Sequence, residues 1–347
     1  MILFYIAIFF TIIFGLKYNG NGYNKDYMAF DTTNAIKGIF ILFVFIKHAT
    51  PYVSNSGYLY AGLGDEWFKI VNSYVGQWIV AMFLFYSGYG IMESIKKKGE
   101  SYIASIPTKR LLNVLFNFDI AVLIYIVILY IYNGEYLGIE KYVLSFLGWE
   151  SVGNSNWYIF IIMLAYLATY VSFKYLNISH KNYALPCIIT NILLLVLMVV
   201  LSYLKEKWWY DTILCFGIGL LYSNYKCQIE EVVKKNYNIF FVILLLMLVT
   251  FSIIPIWAKG LIYNMFSIIF CLIIVMITMK FKINNRFLVW LGQNLFPLYI
   301  YQRIPMIILS SIAGGVYAAN YPILYVISCF AITSIISYYY RYWTIRL

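Results

Sequence analysis

The sequence predicts an all-α, polytopic integral membrane protein, that is, a bundle of transmembrane helices. Of its 347 residues, 63% are hydrophobic and only 11% are charged. Soluble domains are roughly half apolar and about a quarter charged, so a soluble fold could not bury this much apolar surface. Many apolar runs are long enough to cross a bilayer as helices, and the alternating pattern of barrel strands is absent.

Eleven apolar segments are expected to cross the membrane. They cover residues 1–16, 35–53, 73–94, 111–132, 157–175, 184–204, 208–223, 237–256, 260–279, 287–311 and 321–340. The first segment has no basic region before it and no cleavage site of small residues after it. We therefore expect a retained helix there rather than a signal peptide.

The net charge of +11 is concentrated in alternate loops. Of the 25 Lys and Arg residues, 18 lie in one set of loops, which covers residues 17–37, 95–110, 174–183, 224–236, 280–286 and the tail after Tyr340. Cytoplasmic loops carry such an excess, so we expect an outside amino terminus and a cytoplasmic carboxyl terminus in the plasma membrane. The expected surroundings are membrane lipids, and the charge does not require a nucleic-acid partner.

The five cysteines have neither metal-ligand nor redox spacing, and most lie inside apolar runs. They are Cys187, Cys215, Cys227, Cys271 and Cys329. Such cysteines are typical of small buried hydrophobic residues rather than of a disulfide framework, and we expect no metal site.

One apolar run, residues 34–51, has a cation at its start and an ionisable residue near its end. Lys37 and His48 are eleven positions apart, which is about 16 Å along a helix axis and about half of a hydrocarbon core. An ionisable group at membrane depth is costly and indicates function. The alternatives for His48 are extension toward the interface or a bond to a neighbouring helix.

The spacing Lys37-x10-His48, followed by the stretch Phe83-Leu-Phe-Tyr-Ser-Gly-Tyr89, resembles the membrane acyltransferase-3 family. Further stretches that fit are Lys109-Arg110, Asn156-Trp157-Tyr158 and Leu291-Gly-Gln-Asn-Leu-Phe-Pro-Leu-Tyr-Ile-Tyr301. The resemblance covers about residues 31–340 and implies ten core helices. It also implies that residues 31–347 form an acyltransferase domain, preceded by one extra helix and a cytoplasmic loop in residues 1–30.

The resemblance implies transfer of an acetyl group from cytoplasmic acetyl-coenzyme A to a saccharide hydroxyl. The acceptor would belong to a capsule, an exopolysaccharide or a lipid-linked saccharide. His48 is the catalytic candidate, because a neutral imidazole can accept the proton of that hydroxyl. A covalent acyl-imidazole is the other route. Lys37, Lys109 and Arg110 are candidates for binding the coenzyme phosphates, although the family's second basic motif has two arginines two residues apart.

Four residues are weaker candidates for binding the acceptor: Asp211, Gln302, Arg303 and Trp157. Many relatives have a second histidine at the position of Gln302. For Asp211 the alternative is a helix cap. Asp119 and Arg303 are charges inside spans, for which a structural ion pair is the alternative to a substrate role.

The loops 54–72 and 133–156 are expected outside, where they either contact the acceptor or form ordinary solvated connections, which we favour. Four glycines are expected to permit close helix packing. They are Gly88, Gly90, Gly217 and Gly219. We assign no role to His180.

Two other function classes stay open at this point. A transporter or flippase for lipid-linked sugars would also be polytopic, although such proteins often show internal repeats and broken spans, which this sequence lacks. A catalytically inactive relative is the other, because Lys37 and Gln302 depart from the usual Arg and His. The oligomeric state is not indicated.

Overall fold

The computed structural model describes residues 1–134, 137–176, 183–253 and 260–343. In chain order its α-helices are α1 (Leu3–Ile13), α2 (Phe30–Asn55), α3 (Leu63–Tyr74), α4 (Trp78–Lys98), α5 (Glu100–Ile106), α6 (Asn113–Asn133), α7 (Ile139–Phe146), α8 (Trp157–Tyr175), α9 (Ala184–Leu204), α10 (Leu214–Asn224), α11 (Lys226–Lys235), α12 (Tyr237–Ile253), α13 (Leu261–Lys280), α14 (Arg286–Gln293), α15 (Leu295–Tyr301), α16 (Arg303–Ser311), α17 (Val316–Asn320) and α18 (Pro322–Trp343). A π-helical turn covers Pro107–Leu112, and 3₁₀ turns cover Lys207–Trp209 and Ile312–Gly315.

Within the described ranges, seven helices are long and apolar enough to cross a membrane. They are Phe30–Asn55, Trp78–Lys98, Glu100–Tyr132, Trp157–Tyr175, Ala184–Leu204, Leu261–Lys280 and Pro322–Tyr340. An eighth would combine α11 and α12, which meet at an angle of 99°. The all-helical membrane fold is confirmed, whereas the expected number of eleven spans is not.

The segment 287–311 shows why the count differs, because it is divided into α14, α15 and α16. Pro297 and Pro305 each lie in the first turn of a short helix. Proline lacks an N–H group and is tolerated in that first turn, but it does not fit the interior of a continuous helix. Hydropathy detects the apolar run and does not detect where its backbone breaks.

The chain forms two compact units. Unit 1 contains Met1–Gly76, Leu115–Ile159 and the described chain from Lys280 onward, and unit 2 contains Gln77–Val114 and Phe160–Met279.

In unit 1, α2 and α14 pack with their backbones in contact. A Cβ atom on Gly38 would overlap the carbonyl oxygen of Leu288, and a Cβ atom on Gly292 would overlap that of Asn34. Each helix therefore depends on a glycine facing the other helix's backbone. We call this pairing the α2–α14 glycine contact; it brings Gly292, near the start of the Leu291–Tyr301 stretch, to the Lys37 end of α2.

Unit 1 also contains a short antiparallel sheet that the sequence did not predict. Strand β1 (Leu16–Tyr18) pairs with strand β2 (Phe281–Ile283). The amide of Asn285 donates to the carbonyl of Thr11 at 2.9 Å, and its oxygen caps the start of α14. This pairing fixes the position at which α14 begins.

The segment between α2 and α4, which includes α3, is arranged around the buried side chain of Asp65. Its carboxylate accepts hydrogen bonds from the Tyr58 hydroxyl (2.6 Å), the Ala61 N–H (3.2 Å) and the Met1 amino group (3.0 Å). Burial acts to raise the pKa of Asp65, but these three bonds hold it below its usual value. The hydrogen bond to Asp65 raises the pKa of Tyr58 to about 12. This acid has a structural role that the sequence did not predict.

In unit 2, α4 and α10 form a second reciprocal pair, the α4–α10 glycine contact. A Cβ atom on Gly88 would overlap the carbonyl of Phe216, and one on Gly219 would overlap that of Phe85. A Cβ on Gly217 would meet the side chain of Asn191. Close packing is thus confirmed for these three glycines.

The same expectation was wrong for Gly90, because a Cβ atom there would have no neighbour within 4 Å. Spacing along a helix does not identify which glycine faces a partner. Of the five free cysteines, Cys227 is exposed and the other four are buried.

Candidate functional site

The candidate site lies in unit 1 around His48 on α2. The side chain is half-buried, and its Nδ1 atom is buried without a hydrogen bond in the described part of the chain. The polar and charged groups that interact with the imidazole belong to Arg303, Gln302 and Lys47. The ring of Tyr299 lies 6.2 Å from the imidazole, centroid to centroid. Three of the predicted residues, His48, Gln302 and Arg303, therefore meet at one place.

The break between α15 and α16 positions two of these side chains. Gln302 is fully buried, and its amide nitrogen donates to the carbonyl of Tyr299 at 2.9 Å. That bond turns the Gln302 side chain back on α15 and leaves its Oε1 atom without a hydrogen bond among the described residues. Gln302 itself keeps helical dihedrals, φ −59° and ψ −32°, so the helical path continues across this break. Tyr299 and Arg303 are four residues apart and therefore lie one turn apart on the same face.

The loop before α8 supplies the opposite side of the site. The ring of Tyr158 packs 5.2 Å from the ring of Tyr299. The hydroxyl of Tyr299 faces that of Ser155, although the two do not reach hydrogen-bond geometry. Ser155 and Asn154 are both buried.

This loop is buried because its own side chains satisfy its backbone. Asn156 donates to the carbonyl of Gly148 at 2.8 Å, and the Asn154 side-chain oxygen accepts from the Val152 N–H at 3.1 Å. Gly153 adopts a left-handed φ of 85°, which favours glycine. Our expectation of an ordinary solvated connection was wrong for Gly148, Val152 and residues 154–156, which are buried.

Six residues of this site thus have a buried polar atom that makes no hydrogen bond within the described ranges. They are His48 (Nδ1), Asn154 (Nδ2), Ser155 (Oγ), Tyr299 (OH), Gln302 (Oε1) and Arg303 (Nε). We call this set the His48 cluster. Buried polar groups are nearly always hydrogen-bonded in folded proteins, so a concentration of unbonded ones is typical of a site that a ligand completes.

Arg303 is the charged member of this cluster. Its guanidinium interacts with His48 and with the phenol groups of Tyr52, Tyr125 and Tyr299. Tyr125 donates to the carbonyl of Ile300 at 3.0 Å and so supports α15. The described part of the chain contains no ion pair for Arg303 or for Asp119. The structural ion pair that we considered for these two charges is therefore not found there.

Lys37 lies on the same helix as His48, eleven residues earlier. Its ammonium group donates to the Asn34 side chain at 3.3 Å, beside the α2–α14 glycine contact. Close to this end of α2 is an open cavity of about 470 Å³, whose lining includes Asp31, Arg286, Trp290 and Gln293.

The other two predicted phosphate-binding residues belong to unit 2. Lys109 and Arg110 lie in the π-helical turn, where Lys109 is exposed and Arg110 is half-buried. The Arg110 Nε donates to the hydroxyl of Tyr102 at 3.0 Å. Arg110 thus already has a hydrogen-bond partner, whereas Lys109 extends to the surface.

The remaining predicted residues differ in their surroundings. Asp211 in unit 2 is buried, and its carboxylate accepts from the Gly260 N–H at 2.7 Å, next to the start of α13. This contact supports the alternative that Asp211 caps a helix, and the capped helix is α13. Trp157 begins α8 and packs 6.0 Å from Tyr158, beside the cluster. Glu135 and His180 lie outside the described residues.

Comparison with known proteins places this site in a family. The family model described as an acyltransferase domain matches residues 30–342, nearly the whole chain. The chain belongs to the acyltransferase-3 family. No curated protein and no solved structure matches it. This acyltransferase-3 protein is therefore a multi-pass membrane acyltransferase, and the match includes every member of the His48 cluster.

Three residues of the His48 cluster were not predicted from the sequence to be functional: Asn154, Ser155 and Tyr299. Tyr299 lies inside a stretch that carried the resemblance, so a signal for it was present. The signal for the loop was weaker. Its small polar residues, Gly153-Asn-Ser-Asn156, are as typical of an exposed turn as of a buried one.

Proposed function

We propose that this protein is an O-acetyltransferase that moves an acetyl group from cytoplasmic acetyl-coenzyme A to a hydroxyl of a cell-surface or lipid-linked saccharide, such as a capsular or exocellular polysaccharide. The family gives a membrane acyltransferase. The observation that supports the specific reaction is the buried Nδ1 atom of His48, which makes no hydrogen bond among the described residues and belongs to a site with amide and hydroxyl groups suited to a sugar.

The proposed reaction uses the imidazole as a general base. His48 accepts the proton of the acceptor hydroxyl while the hydroxyl oxygen attacks the thioester carbonyl. The carbon–sulfur bond then breaks, and the imidazolium returns the proton to the departing thiolate of coenzyme A. The hydroxyl groups of Tyr299 and Ser155 are buried and make no hydrogen bond within the described ranges, so they can donate to the developing oxyanion. An acetyl-imidazole intermediate would use the same nitrogen as the nucleophile.

The donor would enter from the cytoplasmic side, where the loop charges place Lys37. Lysine binds phosphate as a point charge, and Lys109 and Arg110 are further cations on the side of the basic loops. The distance of about 16 Å along α2 between Lys37 and His48 separates phosphate binding from chemistry.

The acceptor would enter from outside, at the His48 end of α2. Amide and hydroxyl groups of Asn154, Ser155 and Gln302 match the hydroxyl groups of a saccharide, and the rings of Tyr158 and Tyr299 offer apolar faces. Trp157 adds a further ring beside them. The orientation is tested by a reporter fused after the carboxyl terminus, which should behave as cytoplasmic.

The reaction is tested with purified protein, labelled acetyl-coenzyme A and a panel of saccharides. We expect an alkali-labile acetyl ester on at least one saccharide. Donor binding should be weaker in Lys37→Ala and largely retained in Lys37→Arg. Failure of every saccharide to receive label, or unchanged donor affinity in Lys37→Ala, would contradict the corresponding part of the proposal.

A further inference from the structure

One charged residue in the His48 cluster has no ion pair within the described ranges. Arg303 begins α16, is largely buried and interacts with His48 and with three tyrosines. Tyrosine and histidine side chains are neutral partners in this setting. The part of the chain that the structure describes supplies no carboxylate to this guanidinium.

A buried cation of this kind is unfavourable unless something compensates it. Charges inside a membrane domain normally pair or face a polar cavity, and removing a guanidinium from water costs several kcal/mol before any interaction offsets it. The Nε of Arg303 makes no hydrogen bond within the described ranges. This guanidinium is therefore a candidate binding group for an anion.

We infer that the acceptor carries a carboxylate or a phosphate near the hydroxyl that is acylated, and that Arg303 binds this anion. The inference rests on the proposed function, since it names the substrate class of the same site. Arginine presents planar, parallel N–H groups that match both anions with two hydrogen bonds. The neutral members of the cluster then bind the rest of the sugar.

The developing oxyanion of the reaction does not explain Arg303 equally well. That charge exists only in the transition state, so it does not compensate the cation in the ground state of the complex. Tyr299 and Ser155 already offer hydroxyl donors beside the imidazole. A group that binds a permanent anion changes acceptor affinity, whereas a group that binds only the oxyanion changes the rate of the chemical step.

The coenzyme phosphates are a poorer explanation as well. Arg303 interacts with His48, whereas Lys37 lies about 16 Å away along α2. The acyl end of the donor, which is uncharged, is the part that must reach His48. An anion at Arg303 therefore belongs to the acceptor.

The test measures equilibrium binding of labelled oligosaccharides to the full-length protein without acetyl-coenzyme A, so it does not depend on turnover or on the donor. The first probe is an oligosaccharide that contains glucuronate, and the second is its methyl ester, which has no charge. The third is the same methyl ester with a phosphate group added at its reducing end. The variants are Arg303→Gln, Arg303→Lys and, as a control, Lys69→Gln. Lys69 is an exposed cation of the same unit that lies 5.2 Å from the ring of Tyr60.

We expect one anionic probe to bind the wild type about 10- to 100-fold more tightly than the methyl ester, as for a hydrogen-bonded charge. Preference for glucuronate identifies a carboxylate, and preference for the reducing-end phosphate identifies a lipid-linked type of acceptor. Arg303→Gln should abolish the preference, Arg303→Lys should retain part of it, and Lys69→Gln should retain all of it.

Equal binding of the charged and uncharged probes to the wild type would overturn the inference even if Arg303→Gln does not fold. So would binding of none of the probes, or a preference that survives in folded Arg303→Gln. If acetyl transfer to neutral saccharides succeeds while these results hold, the proposed function stands and only the anionic acceptor is lost.

Discussion

Units 1 and 2 are each built on a pair of helices joined by reciprocal glycines, yet their polar side chains behave differently. Beside the α4–α10 glycine contact, Ser223 donates to Glu93 at 2.7 Å, and Lys96 donates to the carbonyl of Ser223 at 2.8 Å. Beside the α2–α14 glycine contact, the chain continues into the His48 cluster, whose buried atoms lack hydrogen bonds among the described residues.

Asn264 illustrates the pattern in unit 2. Its side chain accepts from the Leu214 N–H at 2.9 Å and donates to the carbonyls of Tyr210 and Gly260, both at 2.9 Å. This amide stabilises the fold.

Single buried polar atoms without a hydrogen bond among the described residues occur in both units, such as Ser267 Oγ in unit 2 and Asn34 Nδ2 in unit 1. What distinguishes unit 1 is that six residues with such atoms belong to one site around His48, whereas close backbone packing is common to both units.

The largest expected effect is on the glycine contacts. In Gly292→Ala the new methyl group would overlap the carbonyl of Asn34, and the backbones must separate. Overpacking of this kind costs about 1–3 kcal/mol or more. We expect most of the folded protein to be lost, as judged by size-exclusion chromatography of a fluorescent fusion.

Gly90→Ala is the matched control, because its methyl group meets open space. Alanine is also the better helix former by roughly 0.5–1 kcal/mol. Equal loss of folded protein in Gly90→Ala and Gly292→Ala would show that the effect does not depend on whether the glycine faces another backbone. That result would contradict the role of the glycine contacts.

A second prediction separates the polar groups of the two units. Tyr299→Phe removes a hydroxyl that makes no hydrogen bond in the described chain, so the melting temperature should not fall. Acetyl transfer should fall about a hundredfold to a thousandfold, as for the loss of one oxyanion donor. Both quantities are measured on the same purified sample.

Asn264→Ala is the counterpart in unit 2. It removes an amide with three backbone partners, so stability should fall by about 1–3 kcal/mol. The residual folded fraction should keep its rate per molecule. A stability loss in Tyr299→Phe as large as in Asn264→Ala would mean that the cluster is structural.

The smallest expected effect concerns the Asp65 loop. Because the pKa of Asp65 in the folded protein is held below its usual value of 3.8, its stabilising bonds are fully present at neutral pH. They are lost as the pH falls through that lowered pKa. Tyr58→Phe should lower stability at neutral pH by about 1 kcal/mol, and by less below the lowered pKa of Asp65, where the protonated carboxyl is the weaker acceptor. Melting curves over a series of decreasing pH values check this, and a penalty that stays the same down to the acid unfolding of the protein would contradict it.

The sequence predicted the fold class and many of the helices. The predicted segments 157–175 and 184–204 coincide with α8 and α9, because a long apolar run has one stable form in a bilayer, a helix. The breaks at Asn294 and Gln302 were not predicted, since they depend on proline placement and on contacts across unit 1 rather than on hydropathy.

The candidate site was predicted in part. His48, Gln302 and Arg303 were found because ionisable and polar residues in apolar runs stand out. The loop 148–156 was missed because burial of a polar loop depends on which of its own side chains satisfy its backbone, as Asn156 and Asn154 do here. Which side chains make these hydrogen bonds is visible only in the three-dimensional structure.

We propose that His48 performs the chemistry, and the direct measurement is the acetyl-transfer rate of His48→Gln beside His48→Ala. Loss of a general base typically lowers the rate by about 10²–10⁴-fold, and glutamine cannot accept the proton. We expect that both variants fold, bind acetyl-coenzyme A normally and lose transfer to this extent. A His48→Gln rate within a few-fold of the wild type would contradict it, because a glutamine can then replace the histidine in a structural role.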